Sequence, residues 1–413
     1  MEDILPGEIE KWQWLEDKAI IFFEARGYKE IRTPLLEPTE LFTRSIGEGS
    51  DIVHKEMYTF EDRGGRSMTL RPEMTASVAR AVIEHGLLKT AKSLRLYYLG
   101  PMFRAERPQA GRKRQFHQMG VEMVNEAGVD ADFEIISLLY HFLVSAGAEN
   151  PILRLNDLGE KTDRPRLLQA LSDYFSKEKA SLCEDCRWRL EKNVLRIFDC
   201  KVESCQPAIQ KAPWEEIAPL SASFQDLLSR LEAEKIPFKI KRRLVRGLDY
   251  YNGTVFEVSA QGLGAQDAVA GGGRYDHLYE ELEGAQVPCT GFSIGLERLL
   301  TSLGKDEKFF PDRLRRRKIY LAPLDSSPEL LRLCFKKAEE IRERGIRLET
   351  TPGMISLSQH LKKANQMNLR YILIVGPDEI KKGMWVLKDL DERKQTEIKI
   401  EKLVPSLEGI LSL

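Results

Sequence analysis

Apolar side chains recur at helical spacing from the start of the chain. Ile9, Trp12, Leu15, Ala19 and Phe22 fall on one face and predict a helix over 8–26, ended by Gly27. Residues 29–33 then turn extended before Pro34. From 55 to 150 short strands mix with helices, notably at 72–86 and 132–146. Residues 158–240 read as helical and charged, an insertion between two strand-rich blocks. Strands and glycines return over 244–310 and close with a helix starting near Gly295. A polar, basic stretch, "KDEKFFPDRLRRRK" (305–318), reads as a linker. Beyond it "KIYLAPL", "IRLETT" and "YILIVG" read as strands. A helix capped by Ser327, with Leu331, Phe335, Ala338 and Ile341 on one face, and a second over 356–368 separate them. That alternation predicts a small α/β domain with a mixed, mostly parallel sheet.

Period-two patterning is most informative around "YYLGPMFRAE", "RPQAGRKR" and "QFHQMGVEMV", two strands joined by a polar loop. Side chains alternate faces along a strand. Phe116, Gln118, Gly120 and Glu122 therefore share one face, as do Gly100, Arg104 and Glu106. Leu99, Pro101, Phe103, His117, Met119, Val121 and Met123 take the other. One side can pack on helices. The other offers directional groups able to hold ammonium, carboxylate and phosphate. In "CTGFSIGLERLL" Gly291, Ser293 and Gly295 share a small face with room for a flat ligand, and Arg298 lies in the first turn of the helix that follows.

Composition adds bounds. With 413 residues, a formal net charge of −1 and 31% charged residues, the chain carries no bulk basicity. Its basic clusters are local: "GRKR" (111–114), "KIKRRLVR" (239–246) and "RLRRRK" (313–318). No apolar run reaches the ~18 residues needed to span a bilayer, and the acidic start has no signal-peptide pattern. A cytoplasmic protein is expected. Four of the six cysteines, Cys183, Cys186, Cys200 and Cys205, have spacings that approach a four-thiolate zinc site. The second pair is looser than usual, so reduced thiols in a small helical segment remain the alternative.

At this point the residues resemble a known family. "GYKEIRTPLLEP" (27–38), "GPMFRAERPQAGRKRQFHQMGVE" (100–122) and "GFSIGLERLL" (291–300) are similar, in order, to the three signatures of class II aminoacyl-tRNA synthetases. "RGLDYYNGTVFE" (246–257) and "AGGGRYDHL" (270–278) resemble segments peculiar to the bacterial-type histidyl-tRNA synthetase family. The likeness spans essentially the whole chain. It implies an α+β fold: a class II catalytic core of antiparallel sheet flanked by helices over 1–310, the helical insertion at about 158–240, a linker at 311–318, and an anticodon-binding α/β domain over 319–413. It also implies a homodimer formed around Pro34. The expected partners are tRNA(His), L-histidine and ATP with Mg2+, and no membrane.

The implied activity joins histidine to ATP as histidyl-adenylate and then to tRNA. By resemblance, Arg104 and Arg246 are catalytic and hold the α-phosphate from two sides. Glu106, Arg112, Phe116 and Arg298 would bind the rest of ATP. Glu73, Thr75 and Gln118 would bind the histidine ammonium, and Glu122 and Tyr251 its imidazole. Tyr250, Gly271, Gly272 and Tyr275 would line that pocket, and Arg107 and Gln109 would meet the tRNA acceptor end. Neutral imidazole has one donor and one acceptor nitrogen, which a carboxylate and a phenol can pair.

Met74 and His277 stand where glycine is usual in the family. The clipped opening leaves room for a start upstream of Met1. Two alternatives differ in kind: a histidine-sensing regulatory subunit of a phosphoribosyltransferase, which lacks the anticodon domain, and a synthetase for another amino acid.

Overall fold

The long hairpin organises the fold. Strands Leu94–Phe103 and Gln115–Val124 pair antiparallel, with Leu99 opposite Met119 and Phe103 opposite Gln115. They belong to an eight-stranded sheet. From one edge its order is Lys29–Glu30, Leu94–Phe103, Gln115–Val124, Cys289–Gly295, Ala268–Arg274, Asn252–Ser259, Ile152–Asp157 and Phe238–Ile240. Pairing is antiparallel except at the two edges. The computed structural model describes residues 2–47, 49–106, 113–159, 164–260, 268–304, 318–351, 353 and 356–411, without the side chains of 164, 215 and 216. It divides into two compact units, Met1–Lys305 and Asp306–Leu413.

Helix Ile9–Glu24 buries Trp12, Leu15, Ala19 and Phe23, and helix Gly128–Ser145 buries Ile135, Leu139 and Phe142. Both pack on the sheet face that carries Tyr97, Met119, Val121 and Met123. This is the face that alternation assigned to packing. Each fully buried side chain of this size contributes about 1.5–3 kcal/mol. The opposite face carries Tyr98, Met102 and Val124 in a second core that is continuous with the insertion and with Tyr250, Tyr251 and Tyr275. It is therefore a walled site rather than a solvated face.

Two differences matter for the site. The first hairpin strand ends at Phe103, so Arg104 and Glu106 follow it rather than lie on it. The Arg104 N–H still donates to the Arg114 carbonyl at 2.9 Å, which extends the pairing one step. The helix expected over 72–86 spans only Thr75–Glu84. Its start is held by Glu73, whose carboxylate accepts from the N–H groups of Thr75 (2.7 Å) and Ala76 (2.9 Å), a favourable use of an anion at a helix N-terminus.

The second unit has a five-stranded sheet in the order Arg347–Thr350, Lys318–Pro323, Tyr371–Val375, Met384–Asp389, Gln395–Lys399. Only the first three are parallel. The closing antiparallel hairpin was not anticipated, because its strands carry many polar residues and bury only Trp385, Leu387 and Ile398. Lys318 starts a strand rather than ending a linker. Helix Pro328–Arg342 buries Leu330, Cys334, Ala338 and Ile341, whereas Phe335 is 57% exposed. The buried stripe is thus one residue out of phase with the expected one at its start, and the Ser327 side chain makes no cap bond. No helix among the described residues is long and apolar enough to cross a membrane.

Candidate active site

An inner pocket of about 120 Å3 opens on the second sheet face, lined by Glu73, Thr75, Tyr98, Arg104, Gln118, Glu122, Arg246, Tyr250, Tyr251 and Ser293 among others. Its chemistry centres on Glu122, which projects from the hairpin and is 2% exposed. The Thr75 hydroxyl donates to one of its oxygens at 2.7 Å, and the Tyr275 hydroxyl donates to the other. Tyr98 hydrogen-bonds to Glu122 as well; a carboxylate has about four lone-pair sites, so about one remains for a ligand. Burial pushes Glu122 up to about 8, because a low-dielectric surrounding penalises its charged form. Burial also raises Glu73, against the hydrogen bonds from the Ala76 and Thr75 backbone and the nearby charge of Arg104. Tyr251 is pushed up to about 12 and Tyr250 well above its ordinary value, again mainly by burial, so both phenols keep their protons. The Tyr250 hydroxyl reaches Glu73 at 3.5 Å.

Glycines make this packing possible. A Cβ on Gly291 would sit 2.1 Å from the Glu122 Oε2, and one on Gly271 would sit 2.4 Å from Arg246 Nη2. The small face foreseen as room for a flat ligand is thus partly occupied by the protein's own carboxylate and guanidinium. Gly272 faces the other way: its Cβ would meet the Gly291 carbonyl and the Phe256 ring. It lines neither pocket, because alternation along the strand turns it toward the packing core.

Arg104 and Arg246, with Ile52, Gln118, Gly247 and Ser293, line both the inner pocket and a wider cleft of about 510 Å3. The Arg104 Nε donates to the Pro72 carbonyl at 2.9 Å, and its guanidinium lies 5.3 Å from the Phe116 ring centroid. Arg246 approaches Glu257 at 3.7 Å. Its Nε is buried and makes no hydrogen bond among the described residues. The wider cleft also gathers Glu56, Glu106, Lys113, Phe116, Gly271 and Arg298.

The sequence-predicted residues therefore fall into groups. Glu73, Thr75, Gln118, Glu122, Tyr250 and Tyr251 meet in the inner pocket. Tyr275 stands behind it on Glu122. Glu106, Phe116, Gly271 and Arg298 lie in the wider cleft. Arg107, Gln109 and Arg112 lie outside the described residues. Tyr98 was missed, although its parity with Gly100 puts it on the working face. Arg189, Arg196, Asp199 and Lys201 of the insertion were also missed, and they wall the wider cleft. Their only sequence signal is that Arg189, Arg196 and Asp199 stand inside the loop between Cys186 and Cys200.

The four insertion cysteines converge, with all their sulfurs within 4.8 Å of one another. Cys183 Sγ and Cys200 Sγ are 3.8 Å apart. That is far beyond a disulfide bond and matches the ~3.8 Å edge of a tetrahedron with ~2.3 Å metal–sulfur bonds. The Cys183 N–H donates to Cys205 Sγ at 3.1 Å and the Val202 N–H to Cys200 Sγ at 3.4 Å, so two of the sulfurs accept from backbone N–H groups. The donor set fits zinc.

Comparison with known proteins gives a consistent picture. A family model described as Histidyl-tRNA synthetase matches residues 1–299, and one described as Anticodon binding domain matches 318–409. The chain is 43% identical over 405 residues to the histidine–tRNA ligase of Desulforamulus reducens, covering 97% of this chain and 96% of that protein. The crystal structure of apo S. aureus histidyl-tRNA synthetase superposes with a TM-score of 0.80 at 29% identity, covering 99% and 98% of the two chains. A Bacillus halodurans structure described as an ATP phosphoribosyltransferase regulatory subunit/histidyl-tRNA synthetase shares the fold, with a TM-score of 0.63 at 23% identity over 91% and 97%.

Proposed function

The chain belongs to the histidyl-tRNA synthetase family, and we propose on that premise how its residues divide the work. Its activity is histidine–tRNA ligation: L-histidine and ATP give histidyl-adenylate and pyrophosphate, and histidine then passes to the 3′ end of tRNA. The family uses ATP with Mg2+. No covalent enzyme intermediate is required, so catalysis rests on positioning and charge stabilisation.

The observation that carries the assignment is that Arg104 and Arg246 line both a small inner pocket of carboxylates and phenols and a wider cleft. A histidine in the inner pocket would present its carboxylate between the two guanidiniums, with the ATP α-phosphate on their outer side. A guanidinium is permanently charged and forked, which suits the charge that develops at that phosphorus. Glu73, Thr75 and Gln118 then receive the ammonium. Glu122 accepts from the imidazole N–H and Tyr251 donates to its other nitrogen, while Tyr250, Tyr275 and Gly271 shape the surroundings. A site paired in this way disfavours analogues that cannot hydrogen-bond, by as much as ~10^4-fold.

Phe116 and Arg298 hold the adenine from its two faces and Glu106 takes its amino group. Arg112 meets the outer phosphates, and Arg107 and Gln109 the tRNA acceptor end. Glu56 lines the wider cleft and is a hard oxygen donor that would hold Mg2+; when bound, the ion would supply positive charge toward the departing pyrophosphate. Cys183, Cys186, Cys200 and Cys205 would hold zinc, which fastens the insertion.

Residues 1–310 form the catalytic part, with 158–240 as its insertion, and 319–413 the anticodon-binding part. Two copies pair around Pro34, a reading supported by the exposed Leu35 (43%) and Leu36 (42%) beside it. The protein works in the cytoplasm.

Arg246→Ala tests the assignment. Histidine-dependent ATP–pyrophosphate exchange should fall by at least about 10^2-fold, with histidine binding largely kept. Near-normal exchange would remove Arg246 from the reaction.

A further inference from the structure

The insertion does more than wall the cleft. Arg196 is 7% exposed, and its guanidinium meets three partners, two of them outside the insertion. Its Nη1 donates to the main-chain carbonyl of Arg246 at 3.1 Å and to Asp199 Oδ2 at 2.5 Å. Its Nη2 faces Asp51 Oδ2 at 3.4 Å. Asp51 is also held by Arg189 Nη2 at 2.6 Å. Gly247 packs against the same guanidinium, with only 3.4 Å between a would-be Cβ and Nη1. The backbone that carries Arg246 is thus tied to the insertion by a buried fork rather than by sheet pairing.

The segment that bears the fork is itself tied at both ends. Cys186 precedes it on helix Glu184–Lys192, and Cys200 follows directly after Asp199. Between them Val194, Leu195, Ile197 and Phe198 are buried in the second core. The Asn193 side chain closes the turn by accepting from the Leu195 N–H at 3.1 Å. A tetrathiolate metal would close the loop from 186 to 200 and hold Arg189, Arg196 and Asp199 in one rigid unit. Closing a loop lowers the entropy lost when its residues are ordered, and a guanidinium fork positions most accurately when its stem cannot move.

We propose that Arg196 is a positioning residue for adenylate formation, setting the main chain of Arg246 from an insertion clamped by the metal at Cys183, Cys186, Cys200 and Cys205. This rests on the zinc reading and on the role given to Arg246, and the tests separate the three. The first measurement is metal content by mass spectrometry on the purified full chain, wild type and Cys200→Ser. About one zinc per chain, lost in the variant, is expected; metal-free wild type overturns the clamp. The second is Arg196→Met, read by exchange kinetics, histidine affinity by calorimetry, metal content and melting temperature. Exchange kcat should fall by tenfold or more, with metal retained and histidine affinity within about twofold. Arg196→Lys, which keeps one donor for the Arg246 carbonyl, should recover part of the loss. Unchanged kcat in Arg196→Met overturns the proposal while leaving the zinc reading standing. Parallel loss of histidine affinity, metal and melting temperature overturns it as well, since it would mark a merely structural residue. The third is a double-mutant cycle with Arg246→Lys. Arg196→Met should add little to a chain already impaired at Arg246; full additivity rejects the coupling. An Arg246→Lys chain with normal exchange would instead sink the role of Arg246 itself.

Discussion

The most economical probe of the site is one methyl group. Gly271 lies on the strand Ala268–Arg274 with no unusual backbone angle, so Gly271→Ala introduces no backbone strain. Its Cβ would nevertheless stand 2.4, 2.5 and 2.6 Å from Arg246 Nη2, Cζ and Nη1. Ordinary contact begins near 3.4 Å, so the guanidinium must retreat by about 1 Å. The side-chain end can move, and an alanine in a strand is less costly than glycine by about 0.5–1 kcal/mol. Stability should therefore hold or rise slightly. Catalysis should not: a misplacement of about 1 Å costs on the order of 10^2-fold, or about 2.7 kcal/mol of barrier at 1.36 kcal/mol per tenfold. The assay is steady-state ATP–pyrophosphate exchange alongside a thermal melt. A kcat drop of about 10^2 with an unchanged melting temperature is expected. Exchange within threefold of wild type would show that the position of Arg246 is not critical, and the reasoning fails. A large fall in melting temperature would show that the strand cannot accept the methyl, and fails it differently.

Glu122→Gln should change how stability depends on pH. Burial raises the wild-type carboxyl from 4.5 to about 8, so its contribution is whole below about 4.5 and is lost as pH rises through about 8. The decline in melting temperature between pH 5 and 8 should be shallower in the variant; parallel wild-type and variant curves would refute this. Leu36→Asp puts a charge on the exposed apolar strip beside Pro34, and sedimentation should show a shift from dimer to monomer. A variant that stays dimeric to the same extent as wild type would place the interface elsewhere.

Much of the site was legible before the fold was known. Local periodicity sorts the hairpin into a packing face and a working face, because alternation on a strand is a property of the backbone. The same rule separates Gly271 from Gly272 once the strand is accepted. The phase of helix Pro328–Arg342 is not fixed by its periodicity: Leu330 and Cys334 are buried in place of Leu331 and Phe335. An amphipathic stripe that contains both pairs cannot tell its inner edge from its outer one until a sheet packs against it.

The sequence by itself determined the family, the order of the elements and the residue types gathered on the working face, since motif spacing and alternation are local. Tertiary structure alone decided three things. Four thiols with an irregular second pair converge to metal-binding distance. Arg196 meets the carbonyl of a residue 50 positions later. Glycines clear space for Arg246 and Glu122 rather than for a ligand alone. Each depends on contacts between segments far apart in the chain, and no periodicity encodes those, because they are chosen only when separate surfaces are packed together.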